Sequence, residues 1–245
     1  MSLRLTRIEA TGFRSLRDVV LRPRRLTVLV DPEGTATRDL VAFFTLLREL
    51  AHGQLQRTQA LDAVAGPVKL IVGVHDDDYT VELRRFPDGR WRIVHEELDL
   101  LAGISLPFVE PGSGAPCDEA VLSTFPPGPT VRLGDDEAAW LGEVADRTSR
   151  DMNAFLRGFR VQPAESFDAD VPFLFLEEPD VDLPANAVWD RVQSARAASS
   201  RVPVLLCTPS VALADAFDIE DVLRVETSGG TSSFRPLVDR KESGA

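Results

Sequence analysis

The architecture of this 245-residue chain follows from one segment, Leu26-Thr-Val-Leu-Val-Asp-Pro-Glu-Gly-Thr-Ala-Thr-Arg38. Its first five residues form an apolar, β-branched run that predicts a buried strand, and Asp-Pro-Glu-Gly is typical of a turn. From residue 37 to residue 50 the apolar positions recur at three- and four-residue intervals, which predicts an amphipathic helix. A strand, a tight turn and a helix therefore follow one another directly.

The same strand-to-helix alternation returns in the C-terminal third. Residues 171–176 and 202–207 are short apolar runs typical of strands covered on both faces, and helical spacing follows each run. Strands that alternate with helices need crossover connections, so we expect a mainly parallel sheet here. The N-terminal part instead predicts antiparallel strands, two of them joined at Pro87-Asp88-Gly89, and residues 103–130 predict a loop.

Composition excludes several classes of protein. Hydrophobic residues make up 44% of the chain and charged residues 27%, which is a globular mixture. No stretch approaches the roughly 20 apolar residues that cross a bilayer, and the N-terminus lacks the apolar segment of a signal peptide, so we expect a cytoplasmic protein. Cys117 and Cys207 are too few for a disulfide framework or a zinc cluster.

A net charge of -12 should repel nucleic acid unless basic residues are segregated. The first 25 residues provide such a segregation because they hold seven arginines and only two acidic residues. Five of these arginines are candidate contacts for nucleic acid or for a protein partner: Arg14, Arg17, Arg22, Arg24 and Arg25. A second interpretation is a general preference for arginine, since 25 of the 27 basic residues are arginine.

Three motifs together resemble the ATPase head of the SMC, RecF and OLD group, which belongs to the ABC class of P-loop ATPases. Residues 8–16, Ile-Glu-Ala-Thr-Gly-Phe-Arg-Ser-Leu, are similar to the first strand of the group and its Phe-Arg-Ser turn. Residues 29–38 stand in the place of the phosphate loop. Residues 173–180, Phe-Leu-Phe-Leu-Glu-Glu-Pro-Asp, are similar to the Walker B strand. The resemblance spans nearly the whole chain, with residues 95–165 matched worst.

The resemblance implies an α/β, P-loop NTPase-like fold with a mainly parallel core sheet flanked by helices and an antiparallel N-terminal β-subdomain. The sequence contains no heptad run, so we expect no coiled coil. It implies one head over residues 1–245. Residues 1–30 and 66–95 would form the antiparallel subdomain, residues 31–52 and 165–230 the core, residues 96–164 a loop-rich and helical insert, and residues 231–245 a tail.

The phosphate loop departs from the family pattern at the positions that carry its chemistry. Such a loop needs a lysine for the β and γ phosphates and a hydroxyl for Mg²⁺, and these positions hold Thr37 and Arg38. Asp31 replaces the first glycine, and Ala36 replaces the third and adds a Cβ where close backbone approach is needed. The only lysines of the chain lie elsewhere, at Lys69 and Lys241.

Two further family positions have changed, while the acidic pair of the Walker B strand is retained. Pro209 stands where the resemblance expects a switch histidine, and the nearest candidate for the ABC signature, residues 148–151, has no glycine. By the resemblance, Glu177 would hold the Mg²⁺-bound water and Glu178 would polarise the attacking water. A second interpretation of Glu177-Glu178-Pro179 is a solvated strand end that the proline terminates.

We therefore expect a pseudo-ATPase head with lost or very weak hydrolysis, acting as a structural or regulatory subunit of a bacterial SMC/RecF/OLD-like complex in DNA repair or anti-phage defence. The residues of the degenerate loop are the candidate nucleotide contacts: Gly34, Thr35, Ala36, Thr37 and Arg38. We expect no firmly bound cofactor and at most weak binding of ATP and Mg²⁺. We also expect a protein partner to bind the head face and DNA to be bound within the complex, and we expect no contact with a membrane.

Two alternatives remain open. The first alternative is a slow Mg²⁺-dependent ATPase that uses Glu178 and Arg38 and is completed by a partner subunit. The second is a DNA-binding module that uses the N-terminal arginines. His75-Asp76-Asp77-Asp78 contains metal-ligating residue types, but acidic residues are ordinary turn formers at a hairpin tip, so we expect no metal site there.

Overall fold

The computed structural model describes residues 4–100, 103–109, 116–125, 137–163, 171–177 and 184–237. This part of the chain forms a mixed α/β fold with two six-stranded sheets. The first sheet contains β1 (Leu5–Phe13), β2 (Leu16–Leu21), β4 (Val68–Val74), β5 (Asp77–Arg85), β6 (Trp91–Leu100) and β7 (Ile104–Val109). The second contains β3 (Leu26–Val30), β8 (Arg160–Pro163), β9 (Leu174–Glu177), β10 (Val204–Thr208), β11 (Val222–Ser228) and β12 (Thr231–Pro236). The helices are α1 (Thr35–Ala51), α2 (Glu137–Arg157), α3 (Ala185–Ser199) and α4 (Val211–Ala214), with single 3-10 turns at Leu55–Arg57, Val121–Thr124 and Ile219–Asp221.

The first sheet is antiparallel throughout, in the order β2-β1-β4-β5-β6-β7. Strand β7 lies within residues 103–130, where the sequence predicts a loop. It pairs only with β6, and Pro107 is tolerated there because an edge strand has a free side that needs no donor. Pairing with a neighbour thus makes a strand of a segment whose own composition favours a loop.

The second sheet has the order β12-β11-β3-β10-β9-β8. Strands β8, β9, β10, β3 and β11 are parallel, and β12 returns antiparallel to β11. Three segments differ from the sequence expectation. Strand β8 lies within the range 96–164, expected as a loop-rich and helical insert, but it pairs in this sheet with β9. Strand β3 pairs in this sheet rather than in the antiparallel one, and residues 231–236 form β12 rather than a tail, because the turn at Gly229-Gly230 folds them back onto β11.

Apolar side chains fill both faces of the second sheet. On one face, β3, β9 and β10 pack against α1, α2 and the first sheet, and Phe44 of α1 is central there. Its ring centroid lies 4.8 Å from that of Phe159 and 5.3 Å from those of Phe173 and Phe175. On the other face, alternate residues of the same strands pack against α3 and α4. Burial on both faces explains the continuous apolar runs in these strands.

A buried carboxylate fastens the 3-10 turn at Val121–Thr124 to the first sheet. Glu96 of β6 is fully buried, accepts the Tyr79 hydroxyl at 2.9 Å, and accepts the backbone N–H groups of Val121 and Leu122 at 2.7 and 3.0 Å. Burial raises the pKa of Glu96, and these three donors oppose the rise. No helix in the described parts of the chain is long and apolar enough to cross a membrane.

Candidate functional site

The degenerate phosphate loop connects β3 to α1 at the carboxyl edge of the second sheet. The N–H of Asp31 donates to the carbonyl of Thr208 at 2.9 Å, which ties the start of the loop to β10. The N–H of Gly34 donates to the carbonyl of Asp31 at 3.0 Å, and Gly34 has a φ of 65°, a left-handed conformation that favours glycine. The turn predicted at Asp31-Pro32-Glu33-Gly34 is therefore present, and α1 begins at the next residue.

The Asp31 carboxylate lies inside this turn, at the N-terminus of α1. Its Oδ2 atom accepts the backbone N–H of Thr37 at 2.8 Å and the Thr37 hydroxyl at 3.0 Å, and the residue is 2% exposed. Helix α1 has no acidic residue in its first turn, and its N-cap residue is a glycine without a capping side chain. Asp31 thus supplies the negative charge that the N-terminal end of the helix dipole favours.

This arrangement places an internal anion on one backbone N–H group of the kind that binds phosphate in a P-loop. A phosphate loop binds its ligand through free N–H groups at the helix N-terminus. Here the N–H of Thr37, at the position of the family's lysine, and the Thr37 hydroxyl are both engaged by Asp31. The side chain of Ala36 is buried in the core.

Arg38 lies on the surface of the same loop. Its Nε atom donates to the carbonyl of Gly34 at 3.1 Å, and a terminal nitrogen lies 3.5 Å from the hydroxyl of Thr35. The guanidinium therefore folds back on the first turn of its own helix. The guanidinium of Arg38 therefore lies near the positive end of the helix dipole. No carboxylate of the described residues pairs with it.

Glu177, Cys207 and Thr37 meet beside Asp31. Glu177 ends β9, and the register places it directly beside Cys207 of β10. The Cys207 thiol is fully buried and hydrogen-bonds with Thr37; burial raises its pKa far above the ordinary range, and the charges of Asp31 and Glu177 raise it further. Two carboxylates thus act on one neutral thiol at this sheet edge. Glu178, the other predicted acidic residue, lies outside the described residues.

The other sequence candidates for nucleotide chemistry do not complete a site. Residues 148–151 lie in the middle of α2, where the backbone N–H groups are used within the helix, so they cannot present N–H groups to a phosphate as a helix start would. Next to Pro209, which stands at the place of the switch histidine, the Ser210 hydroxyl accepts the N–H of Leu213 and caps α4. No lysine lies in this loop. Among the described residues, this loop therefore lacks the lysine with which a P-loop holds the phosphates of a Mg²⁺–nucleotide.

The five N-terminal arginines do not form one strip. Arg14 and Arg17 lie at the turn between β1 and β2, whereas Arg22, Arg24 and Arg25 follow the far end of β2. Strand β2 is six residues long, so its two ends lie about 17 Å apart at the usual rise of a strand. The two groups therefore lie at opposite ends of β2.

Several of these arginines are engaged within the fold. Arg14 has a left-handed φ of 51°, donates to the carbonyl of Ala60 at 2.9 Å and lies 3.6 Å from Asp39. Arg24 pairs with Glu220 at 3.1 Å, and Arg25 lies 3.3 Å from the carbonyl of Ser200. We therefore interpret the motif at 13–16 as a structural turn.

A network around this turn was not predicted from the sequence. The N–H of Ser15 donates to Asp39 of α1 at 2.9 Å, and the carbonyl of Ser15 accepts the N–H of Ser232 at 2.8 Å. The Ser232 hydroxyl also donates to the Ser15 hydroxyl at 2.9 Å. The turn thereby joins the first sheet, α1 and β12. The sequence analysis used no signal for this network; the acidic residue in the second turn of α1, Asp39, is the one feature from which it could have been inferred.

The acidic hairpin at residues 75–78 is also structural. His75 has a left-handed φ of 57° at the turn between β4 and β5, and its carbonyl accepts the Thr6 hydroxyl at 2.9 Å. Asp78 pairs with Arg7 at 2.7 Å. Across the described ranges, no group of three or more histidine, cysteine, aspartate or glutamate residues is placed to hold a metal ion.

Comparison with solved structures identifies the architecture. An SMC head bound to the C-terminal winged-helix domain of ScpA is 13% identical, and the match covers 97% of this chain and 99% of that one with a TM-score of 0.51. A Pyrococcus furiosus SMC head with an extended coiled coil, bound to the C-terminal domain of ScpA, is 12% identical, with 98% and 97% covered and a TM-score of 0.51. This chain has the fold of an SMC head domain.

The resemblance inferred from three sequence motifs is thereby confirmed at the level of fold. No family model matches the sequence, and no curated protein matches it significantly. The SMC-head fold places residues 31–38 after a central strand and before a helix, as in the resemblance. Within that fold, however, the loop contains Asp31 in contact with its own helix.

Proposed function

We propose that this chain is a pseudo-ATPase head, a structural or regulatory subunit that contributes an SMC-head surface to a complex without turning over ATP. The observation that carries the proposal is the contact of the Asp31 carboxylate with the N–H and hydroxyl of Thr37. A γ-phosphate would meet this carboxylate in place of a lysine ammonium. Loss of one charge-assisted contact in such a site costs about 2 to 4 kcal/mol of transition-state stabilisation, and several are absent together.

A protein partner is part of this proposal. The two solved heads of the same fold are each bound to a domain of ScpA, which supports association as a role for the fold. A bacterial complex in DNA repair or anti-phage defence is the setting that we propose from the resemblance. In such a complex the catalytic groups would come from an intact partner subunit.

The test combines nucleotide binding and hydrolysis on the purified chain. We expect no heat of binding for ATP with Mg²⁺ at a dissociation constant below about 100 μM, and no phosphate release above that of a matched Glu178→Gln variant. The Glu178→Gln variant is the control because it removes the base by which the alternative, a slow ATPase, would operate. Turnover by the wild-type chain that is lost in Glu178→Gln and in Arg38→Ala would contradict the pseudo-ATPase and favour the slow ATPase.

A further inference from the structure

The hairpin between β5 and β6 concentrates positive charge at one end of the first sheet. Residues 84–92 read Arg-Arg-Phe-Pro-Asp-Gly-Arg-Trp-Arg, with four arginines in nine residues. Three of these arginines are exposed, Arg84, Arg85 and Arg90, and Arg92 is half-buried. This concentration lies in a chain whose net charge is -12, so its sign is opposite to that of the whole molecule.

The neighbouring 3-10 turn adds a fifth arginine to the hairpin tip. The amide nitrogen of Gln56 donates to the carbonyl of Trp91 at 2.7 Å, and its amide oxygen accepts the Nε of Arg90 at 3.3 Å. These contacts place the exposed Arg57 next to the hairpin. We call the five residues the basic tip: Arg57, Arg84, Arg85, Arg90 and Arg92.

Carboxylates of the described residues balance only part of this charge. Asp118 lies 3.0 Å from Arg92 and 3.3 Å from Arg90, and Asp88 also pairs with Arg92. Arg84 makes no ion pair among the residues that the structure describes. Its neighbour on the adjacent strand, directly opposite, is another arginine, Arg92. Like charges opposite one another destabilise a sheet, so this placement is not explained by folding alone.

The basic tip is also held in a fixed shape. The N–H of Phe86 donates to the carbonyl of Arg90 and the N–H of Gly89 donates to the carbonyl of Phe86, both at 2.9 Å. The guanidinium of Arg92 lies 4.9 Å from the centre of the Phe86 ring, a cation–π contact. The Nε of Arg85 also donates to the carbonyl of Gly89 at 3.2 Å. The guanidiniums of Arg85 and Arg92 are thus held in place and lose less conformational freedom when they bind a ligand.

From this geometry we infer that the basic tip is a binding surface for the phosphate backbone of double-stranded nucleic acid. Planar guanidiniums on a rigid hairpin suit phosphate oxygens, and several of them spaced over a surface suit a ligand with repeated phosphates rather than a single anion. The surface differs from the N-terminal arginines, which are divided between two ends of β2. It is independent of ATP turnover, so it goes beyond the pseudo-ATPase role.

The experiment measures binding of a fluorescent 30-base-pair DNA duplex to the full chain by anisotropy between 50 and 200 mM salt. If Arg57, Arg84 and Arg85 provide three phosphate contacts, the affinity should fall about 40-fold over this range. We expect Arg84→Ala with Arg85→Ala to weaken binding at least about 10-fold at 50 mM salt and to reduce the slope of log affinity against log salt by about 1.8.

The matched control is Arg22→Ala with Arg25→Ala, which removes the same charge at the other end of the first sheet. Its affinity should stay within about twofold of the wild type, because the control leaves the basic tip intact. An equal loss in the control pair would overturn the proposal, since it would show an effect of total charge alone. Absence of binding at 50 mM salt would overturn it as well.

Competition separates nucleic acid from an acidic protein as the ligand. Unlabelled duplex should displace the probe, whereas poly-glutamate of equal total charge should not do so at the same concentration. Equal displacement by poly-glutamate would contradict the assignment to nucleic acid. ATP turnover by the wild-type chain would overturn the proposed function but would leave this inference unchanged.

Discussion

Replacement of Asp31 tests whether the carboxylate acts as a built-in substitute for phosphate. In Asp31→Ala the N–H and hydroxyl of Thr37 lose their acceptor, and the N-terminus of α1 loses the only carboxylate of the described residues that contacts it. In Asp31→Asn an acceptor oxygen remains but its charge is gone. The two variants therefore separate the hydrogen bonds from the charge.

The size of the effect follows from the two contacts. Hydrogen bonds to a charged group contribute about 1.5 to 3 kcal/mol, and loss of a helix-capping side chain costs about 0.5 to 2 kcal/mol. We expect Asp31→Ala to lower the free energy of unfolding by about 2 kcal/mol, which is about 4 to 8 °C in melting temperature for a chain of this size. Asp31→Asn should lower the free energy of unfolding by about half as much as Asp31→Ala does.

The decisive measurement is rescue of the variant by a free anion. In Asp31→Ala the N-terminus of α1 should bind inorganic phosphate. With a dissociation constant of about 1 mM, 10 mM phosphate would raise the free energy of unfolding by about 1.4 kcal/mol and the melting temperature by about 3 to 6 °C. The wild type should gain much less, because Asp31 already holds these donors. Glu33→Ala serves as a control, since Glu33 is an exposed carboxylate of the same loop.

Two results would refute this reasoning. One is an Asp31→Ala variant as stable as the wild type, which would mean that the carboxylate contributes nothing to the loop. The other is an equal phosphate shift in the wild type and in Asp31→Ala, which would mean that the N-terminus of α1 remains open to anions. Either result would remove the observation on which the pseudo-ATPase proposal rests.

Three further predictions concern the core and the buried polar groups. Burial raises the pKa of Glu96, so the folded state keeps its proton to higher pH than the unfolded state does, and the stability due to this group is lost as pH rises from the unfolded pKa through the folded one. Denaturation at several pH values should therefore show the stability of wild type relative to Glu96→Gln falling as pH rises above the ordinary pKa of a glutamate, about 4.3, by about 1.4 kcal/mol per unit of pKa difference. A constant difference would contradict this. Phe44→Ala should lower the free energy of unfolding by about 3 to 5 kcal/mol, because the Phe44 ring packs against several others. Trp189→Ala should change it by less than about 0.5 kcal/mol, because the Trp189 side chain is 59% exposed. Equal losses on urea denaturation would count against the packing described. Cys207 is buried and its thiol pKa is raised, so a thiol reagent should modify the half-buried Cys117 first and Cys207 only on unfolding. Fast reaction of both cysteines in the native state would contradict the burial of Cys207.

Local sequence patterns predicted many of the elements but not all of their partners. The spacing of apolar residues indicated α1, and the short apolar runs indicated β9 and β10, because those patterns depend only on neighbouring residues. The same reasoning missed β7, β8 and β12. Their residues are polar or contain proline, and they become strands only because β6, β9 and β11 supply hydrogen-bond partners.

The sequence by itself determined that the phosphate loop lacks its lysine and that no other lysine can replace it, since these facts depend on residue identity alone. Only the tertiary structure decided where the Asp31 carboxylate points and which arginines remain free. Arg24 meets Glu220 at a separation of 196 residues, and Ser15 meets Ser232 at a separation of 217. Such contacts depend on strand order and register, which arise from packing over the whole chain, so a charge cluster in the sequence need not be a charged surface in the fold.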